Sequence, residues 1–179
     1  MRVIGGVARG RRLKRPPSGV RPTSDLVRGA IFDVLDAQEV DYSRVVDLYA
    51  GSGALGIEAL SRGAGWCDFV ERDAATVALI RENLALTGLQ DRGRAHRAKV
   101  EQASDRLEGP YSLILADPPY DDEAAPATLE RVAGSPMTGP GAMLVLEHSH
   151  RRDAPQALGP LPLAWSRRYG DTQVSIYHA

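Results

Sequence analysis

Val45-Val46-Asp47-Leu48-Tyr49-Ala50-Gly51-Ser52-Gly53-Ala54-Leu55-Gly56 is the stretch that decides the fold of this 179-residue chain. A short apolar run reads as a buried strand, the glycines as a tight turn, and Ala54 to Ser61 as a helix closed by Gly63. Glycine lets the chain turn sharply and lets a ligand lie against bare backbone. Cys67-Asp68-Phe69-Val70 forms the next apolar strand, with Glu71 at its end. A carboxylate there can accept hydrogen bonds from ribose hydroxyls. Strand, glycine turn, helix, strand and acid together predict a site for an adenosine-bearing cofactor at the carboxyl ends of the strands. The pattern leaves the cofactor open. A nicotinamide dinucleotide would set its pyrophosphate on the helix N-terminus. S-adenosylmethionine has no phosphate, and Asp47 could orient the loop or meet an ammonium group.

Outward from this stretch the alternation continues. A helix is expected from residue 23 or 24 to about 37, capped by Thr23 or Ser24. Residues 74–87 read as a second long helix, with Val77, Leu79, Ile80, Leu84 and Leu86 inward and Gly88 as its stop. A weak strand near 94–97 and a short helix near 101–107 lead to the strand Tyr111–Ala116. A helix over 125–133 and a strand over 142–146 follow. Two further strands, 163–169 and 173–177, meet at Gly170-Asp171 as a hairpin. The fold class is therefore α/β, Rossmann-like. A mostly parallel sheet is covered on both faces and finished by an antiparallel C-terminal hairpin.

Asp117-Pro118-Pro119-Tyr120 ends the most apolar strand. Two prolines stop the strand and fix the backbone, so Asp117 and the Pro118 carbonyl become preorganised acceptors. Tyr120 adds a flat aromatic surface. Acceptors beside an aromatic plate suit a planar base carrying an exocyclic amino group. Such an amine is a poor nucleophile, because its lone pair is delocalised into the ring. Asp117 would stabilise the positive charge that develops on that nitrogen.

Composition bounds the rest. The chain is 43% hydrophobic and 25% charged, enough apolar residue for a core. One cysteine, Cys67, excludes a disulfide framework. No apolar run reaches the roughly 18 residues of a membrane span, and the first residues lack the apolar stretch of a signal peptide. A net charge of −1 conceals an asymmetry. Residues 1–28 hold eight basic side chains and one acid, Asp25, a net +7; the remainder holds fourteen basic and twenty-two acidic groups, a net −8. A basic arm on an acidic body is a pattern of nucleic-acid binders. Arg2-Val3-Ile4, Gly5-Gly6 and Arg12-Leu13 read as strand, turn and return strand.

These residues resemble a known family. Asp47 to Gly53, Glu71 and Asp117 to Tyr120 resemble the Rossmann-fold amino-methyltransferases that use S-adenosylmethionine. Several further stretches narrow the resemblance: Met1 to Gly6, Arg9-Gly10-Arg11, Arg21-Pro22-Thr23, Arg28 to Phe32, Gly51 to Arg62 and Tyr169-Gly170-Asp171-Thr172. They are similar to the ribosomal RNA small subunit methyltransferase D family. The resemblance implies methylation of the N2 amino group of a guanine in 16S ribosomal RNA, in the small subunit or its assembly intermediate. It implies that Asp117 and Pro118 hold the amino group and that Tyr120 stacks on the base. Asp47, Tyr49, Gly51, Gly53, Glu71, Arg72, Val100 and Asp117 would surround S-adenosylmethionine. Arg2, Arg9, Arg11, Arg12, Arg21, Thr23 and Arg28 would meet RNA. The expected organisation is a basic arm over residues 1–22 and a methyltransferase domain over 23–179. A monomer acting in the cytoplasm, without metal or membrane, is the accompanying expectation.

Other readings use parts of the same sequence. An adenine-N6 amino-methyltransferase of DNA or RNA would use the same site. A nicotinamide-dependent oxidoreductase would use the glycine turn but leave Asp117 to Tyr120 unexplained. His96, His148, His150 and His178 have no metal-ligand spacing and read as surface or structural. Cys67 reads as inert core, and Trp66 and Trp165 as packing. Glu58, in the helix after the glycine turn, is expected in solvent.

Overall fold

The computed structural model describes residues 1–16 and 24–178. Arg21 and Thr23 lie outside the described residues. Among the described residues, five α-helices and eight strands follow in chain order: α1 Asp25–Ala37, β1 Arg44–Leu48, α2 Ala54–Ser61, β2 Trp66–Glu71, α3 Ala74–Thr87, β3 Gly93–Arg97, α4 Ala103–Arg106, β4 Tyr111–Ala116, α5 Ala125–Ala133, β5 Thr138–Ser149, β6 Ala157–Leu158, β7 Leu161–Tyr169 and β8 Thr172–Tyr177.

Local chemistry explains the boundaries. Ser24 caps α1 by accepting the Val27 amide, and Asp73 caps α3 by accepting the Thr76 amide. Gly88 ends α3 in the left-handed conformation. The strand near 142–146 is longer than expected. It begins at Thr138, pairs with Tyr111, and passes an irregularity in register before Met143. The short strand β6 was not foreseen; two residues leave almost no periodic signal.

The sheet order is β3-β2-β1-β4-β5-β8-β7-β6. The pairs from β3 through β5 are parallel, and β5–β8, β8–β7 and β7–β6 are antiparallel. Tyr169 pairs with Thr172, so Gly170-Asp171 is the two-residue turn of the expected hairpin. Buried side chains divide between the two faces. Phe32, Leu35, Ile57 and Ile80 from α1, α2 and α3 pack on one face, and Leu129 and Val132 from α5 on the other. Within β4, Leu113 and Leu115 serve the first face and Ile114 and Ala116 the second, as both-sided burial of a parallel strand requires. On α3, Leu84 is buried but Leu86 is 48% exposed, against expectation. Asn83 and Thr87 hold inward positions in its place.

Two corrections concern the arm. Glu58 is fully buried, not solvated. Its carboxylate accepts the backbone amides of Ile4 at 2.8 Å and Gly5 at 2.7 Å, and Arg62 Nε at 2.9 Å. Arg28, expected at RNA, is also fully buried. Its guanidinium reaches Asp25 at 2.9 Å, Glu58 at 3.6 Å and the Arg2 carbonyl. Burying either charge alone would be costly, so the sequence places an opposite charge on the neighbouring element. Val3, Ala8 and Leu13 join the main core, and Arg2 bridges to Arg12. A side chain on Gly6 would meet the Ser61 carbonyl at 1.8 Å, so the arm lies flat on the end of α2.

Candidate active site

Strand register gathers the site. Leu48 lies beside Val70 on β2 and Ala116 on β4. The next residues, Tyr49, Glu71 and Asp117, therefore leave three adjacent strands at one edge of the sheet. The chain runs from β1 outward to β3 and then crosses back to β4 on the other side of β1. A crevice opens where strand order reverses, and ligands of open α/β sheets bind there.

The glycine turn is held from below. Asp47 is buried, and its Oδ2 accepts the Gly56 amide at 2.9 Å, in the first turn of α2. Tyr49, Gly51 and Gly53 all take positive φ, at 60°, 52° and 78°. Tyr49 is the exception among them, a bulky residue in a sparsely populated region beside a functional turn. Gly51 donates its amide to Glu71 Oε2 at 3.1 Å, and Asp73 donates to Oε1 at 2.9 Å. A carboxylate has about four acceptor sites, so Glu71 keeps capacity for hydroxyl donors. A Cβ on Gly51 would meet nothing closer than 3.9 Å, which leaves open space beside the backbone. Gly56 serves packing instead: a Cβ there would lie 2.4 Å from the Phe69 ring.

The electrostatics are specific. Burial pushes the Asp47 carboxyl well above its usual range, the charges of Asp117 and Glu71 push it further, and the Gly56 amide pulls it back. Three carboxylates thus share one end of the sheet. The crevice suits a cationic ligand better than a polyanion.

Asp117 is half-buried and Pro118 buried, while Pro119 and Tyr120 are exposed. Asp122 donates its amide to the Pro119 carbonyl at 2.9 Å, closing the turn. The Tyr120 hydroxyl lies 2.6 Å from Thr172 Oγ1, at the start of β8. The Tyr169-Gly170-Asp171-Thr172 hairpin therefore anchors the Asp-Pro-Pro-Tyr turn. Nothing local in either motif points to the other. They are 52 positions apart, and only sheet topology brings them together.

A second connection was also missed. Asn83, fully buried on α3, donates to the Ser52 carbonyl at 2.9 Å and to the Lys14 carbonyl at 3.1 Å. Its Oδ1 accepts the Lys14 amide at 2.8 Å. One side chain thus ties the glycine turn to the basic arm.

The remaining expected residues are placed as follows. Arg72 is exposed beside Glu71, and Val100 is buried after β3. Arg2, Arg9, Arg11 and Arg12 are exposed on the arm, with Arg11 Nη1 donating to the Leu86 carbonyl at 3.2 Å. Cys67 is buried and its thiol is pushed up, first by burial and then by the charges of Asp47 and Asp68. Among the described residues no group of His, Cys, Asp and Glu could hold a metal ion, and no helix is long and apolar enough to cross a membrane.

Comparison with known proteins gives the site its relatives. The family described as Conserved hypothetical protein 95 matches residues 1–178. YlbH of Bacillus subtilis (strain 168), provisionally named an rRNA methyltransferase, is 36% identical over 181 residues, covering 99% of this chain and 98% of its own. Ribosomal RNA small subunit methyltransferase D of Escherichia coli (strain K12) is 32% identical over 167 residues, covering 93% and 81%. The solved structure of the Escherichia coli protein yhhF, provisionally titled a methyltransferase, aligns with a TM-score of 0.86 at 30% identity, covering 99% and 97%. An RNA methyltransferase of Salinibacter ruber in complex with S-adenosyl-L-homocysteine shares the fold, with a TM-score of 0.68 at 18% identity, covering 88% and 93%. The chain belongs to the ribosomal RNA small subunit methyltransferase D family, whose members carry the Rossmann-like fold of S-adenosylmethionine-dependent methyltransferases.

Proposed function

We propose that this protein transfers a methyl group from S-adenosylmethionine to the exocyclic N2 amino group of a guanine in 16S ribosomal RNA. The substrate is the small ribosomal subunit or an assembly intermediate of it. One observation carries the reading: three carboxylates, Asp47, Glu71 and Asp117, meet at the strand-order reversal, beside an Asp-Pro-Pro-Tyr turn. Bound S-adenosylmethionine supplies an electrophilic methyl group on a positively charged sulfur. The carboxylates favour that charge, and they disfavour the pyrophosphate of a dinucleotide.

Each residue has a part. Asp47 orients the turn through Gly56, Gly51 presents bare backbone, and Gly53, buried against Ile57, Phe69 and Ile80, lets the turn enter α2 in the left-handed conformation. Glu71 accepts from ribose hydroxyls. Arg72, Val100 and Tyr49 surround the adenosine end. Asp117 and the Pro118 carbonyl accept the two N–H bonds of the guanine amino group. This draws its lone pair out of the ring and stabilises the positive charge that forms on nitrogen. The excess proton leaves to Asp117 or to water. Tyr120 stacks on the base, held in place by Thr172. Positioning supplies most of the acceleration, and no covalent enzyme intermediate is needed. Arg2, Arg9, Arg11 and Arg12 meet phosphates, which position RNA without reading its sequence.

The test is the identity of the product. Small subunits and bare 16S RNA from cells lacking the gene, with duplex DNA alongside, are incubated with labelled S-adenosylmethionine and digested to nucleosides. Label in N2-methylguanosine is expected. Label in N6-methyladenine would keep the fold and site and replace the substrate.

A further inference from the structure

We infer that the free edge of β3 carries a second binding groove for RNA backbone phosphates, apart from the basic arm. β3 ends the sheet, and among the described residues its outer side has no strand partner. The run Arg92-Gly93-Arg94-Ala95-His96-Arg97-Ala98-Lys99 holds four full positive charges and no acid, inside a body whose net charge is −8. A concavity of about 250 Å³ lies along this edge. Arg81, Arg94, His96, Arg97 and Arg106 line it, and no acidic residue does.

The lining comes from three elements. Arg81 stands on α3, Arg94, His96 and Arg97 on β3, and Arg106 on α4. Edge strands often carry charge simply to prevent pairing with another sheet. Such protection needs charges on the strand alone and gives no reason for guanidinium groups from both flanking helices to converge. Two of the lining side chains are held in place. Arg81 Nη2 donates to the Ala95 carbonyl at 3.4 Å. His96 Nε2 lies 2.7 Å from Asp68 Oδ1, and Asp68 is itself held by the Tyr111 hydroxyl at 2.8 Å and Trp66 Nε1 at 3.0 Å. Guanidinium forks converging on a concave surface match phosphodiester oxygens. α3 links this groove to the arm, since its Glu82 pairs with Lys14 at 2.9 Å and its Leu86 carbonyl receives Arg11. An RNA strand leaving the arm crosses α3 to reach the groove.

This inference rests on the reading of the protein as an RNA methyltransferase, and the experiment separates the two. Binding of 16S RNA is measured against salt concentration for the wild type and for an Arg94→Gln/Arg106→Gln variant, with S-adenosylmethionine affinity as the check on folding. We expect unchanged cofactor affinity, RNA affinity lower by roughly 10-fold, and a slope of log affinity against log salt smaller by about 1.4 to 1.8, since each lost phosphate contact removes about 0.7 to 0.9. A variant with wild-type RNA affinity and slope overturns the groove and leaves the active-site reading intact. If that variant also self-associates in light scattering, the charges are edge protection only. Lost affinity for intact subunits but not for bare RNA means the groove meets a ribosomal protein, which also overturns it. A wild type that binds no RNA overturns both readings.

Discussion

At the scale of single residues the account turns on charge and on one aromatic ring. Asp47 holds its proton to higher pH in the folded protein than its ordinary value of 3.8. Across the window between those two values the folded state binds more protons than the unfolded chain, so stability falls as pH rises. Binding of a cationic cofactor has the opposite sign. Affinity for S-adenosylmethionine is full above the raised value and declines as pH falls through it, and Asp47→Asn flattens that profile in calorimetric titrations. Tyr120 separates ring from hydroxyl. Tyr120→Phe keeps the plate and loses the hydroxyl contact to Thr172, so activity falls by a small factor. Tyr120→Ala loses base stacking of about 1–3 kcal/mol, raising KM for RNA roughly 5- to 150-fold with cofactor affinity unchanged. Asp47, Glu71, Asp117 and Tyr120 were legible in the sequence, because strand ends next to glycine and proline turns announce themselves. Glu58 and Arg28 were not. Each is a charged residue on a helix, which reads as solvated until the facing element supplies its counter-charge.

At the scale of elements, the glycine turn is only as ordered as what holds it. Gly56 lets α2 lie against β2, and a methyl group there would strike Phe69 and Cys67. Gly56→Ala should destabilise the fold by about 1–3 kcal/mol through overpacking, seen as a lower melting temperature. Asn83 acts from behind the turn. Asn83→Ala leaves the Lys14 amide and the Ser52 carbonyl without their partner, a loss of about 1–3 kcal/mol where those groups stay buried. It should weaken S-adenosylmethionine binding, although Asn83 touches no expected ligand position, and loosen protection of residues 1–16 in hydrogen exchange. Helices and strands with clean periodicity were readable: α3 from its caps, β4 from its unbroken apolar run, the terminal hairpin from Gly170-Asp171. The lengthened β5 and the two-residue β6 were not. Their extent is set by partners in the sheet, and pairing leaves no local signature.

At the scale of the whole molecule, the sheet order does the assembling. Motifs at residues 47–56, 71, 117–120 and 169–172 reach one end of the sheet because four parallel strands and one hairpin are laid side by side in register. The sequence order of strand and helix made that architecture readable, and the glycine turn fixed which end would carry the ligand. The tie between the two C-terminal motifs, and the tie between arm and turn, depend on long-range packing and were invisible. The basic arm is likewise more than a tail: its backbone is built into α2 and α3 while its arginines stay exposed. In the proposed mechanism Asp117 to Tyr120 perform the chemistry beside a cofactor held by the glycine turn. Comparing wild type with Asp117→Asn, for methyl transfer to small subunits and for S-adenosylmethionine affinity in the same preparation, tests it most directly. The expected variant still binds the cofactor and transfers at least about 100-fold more slowly; transfer at the wild-type rate would rule out this role for Asp117.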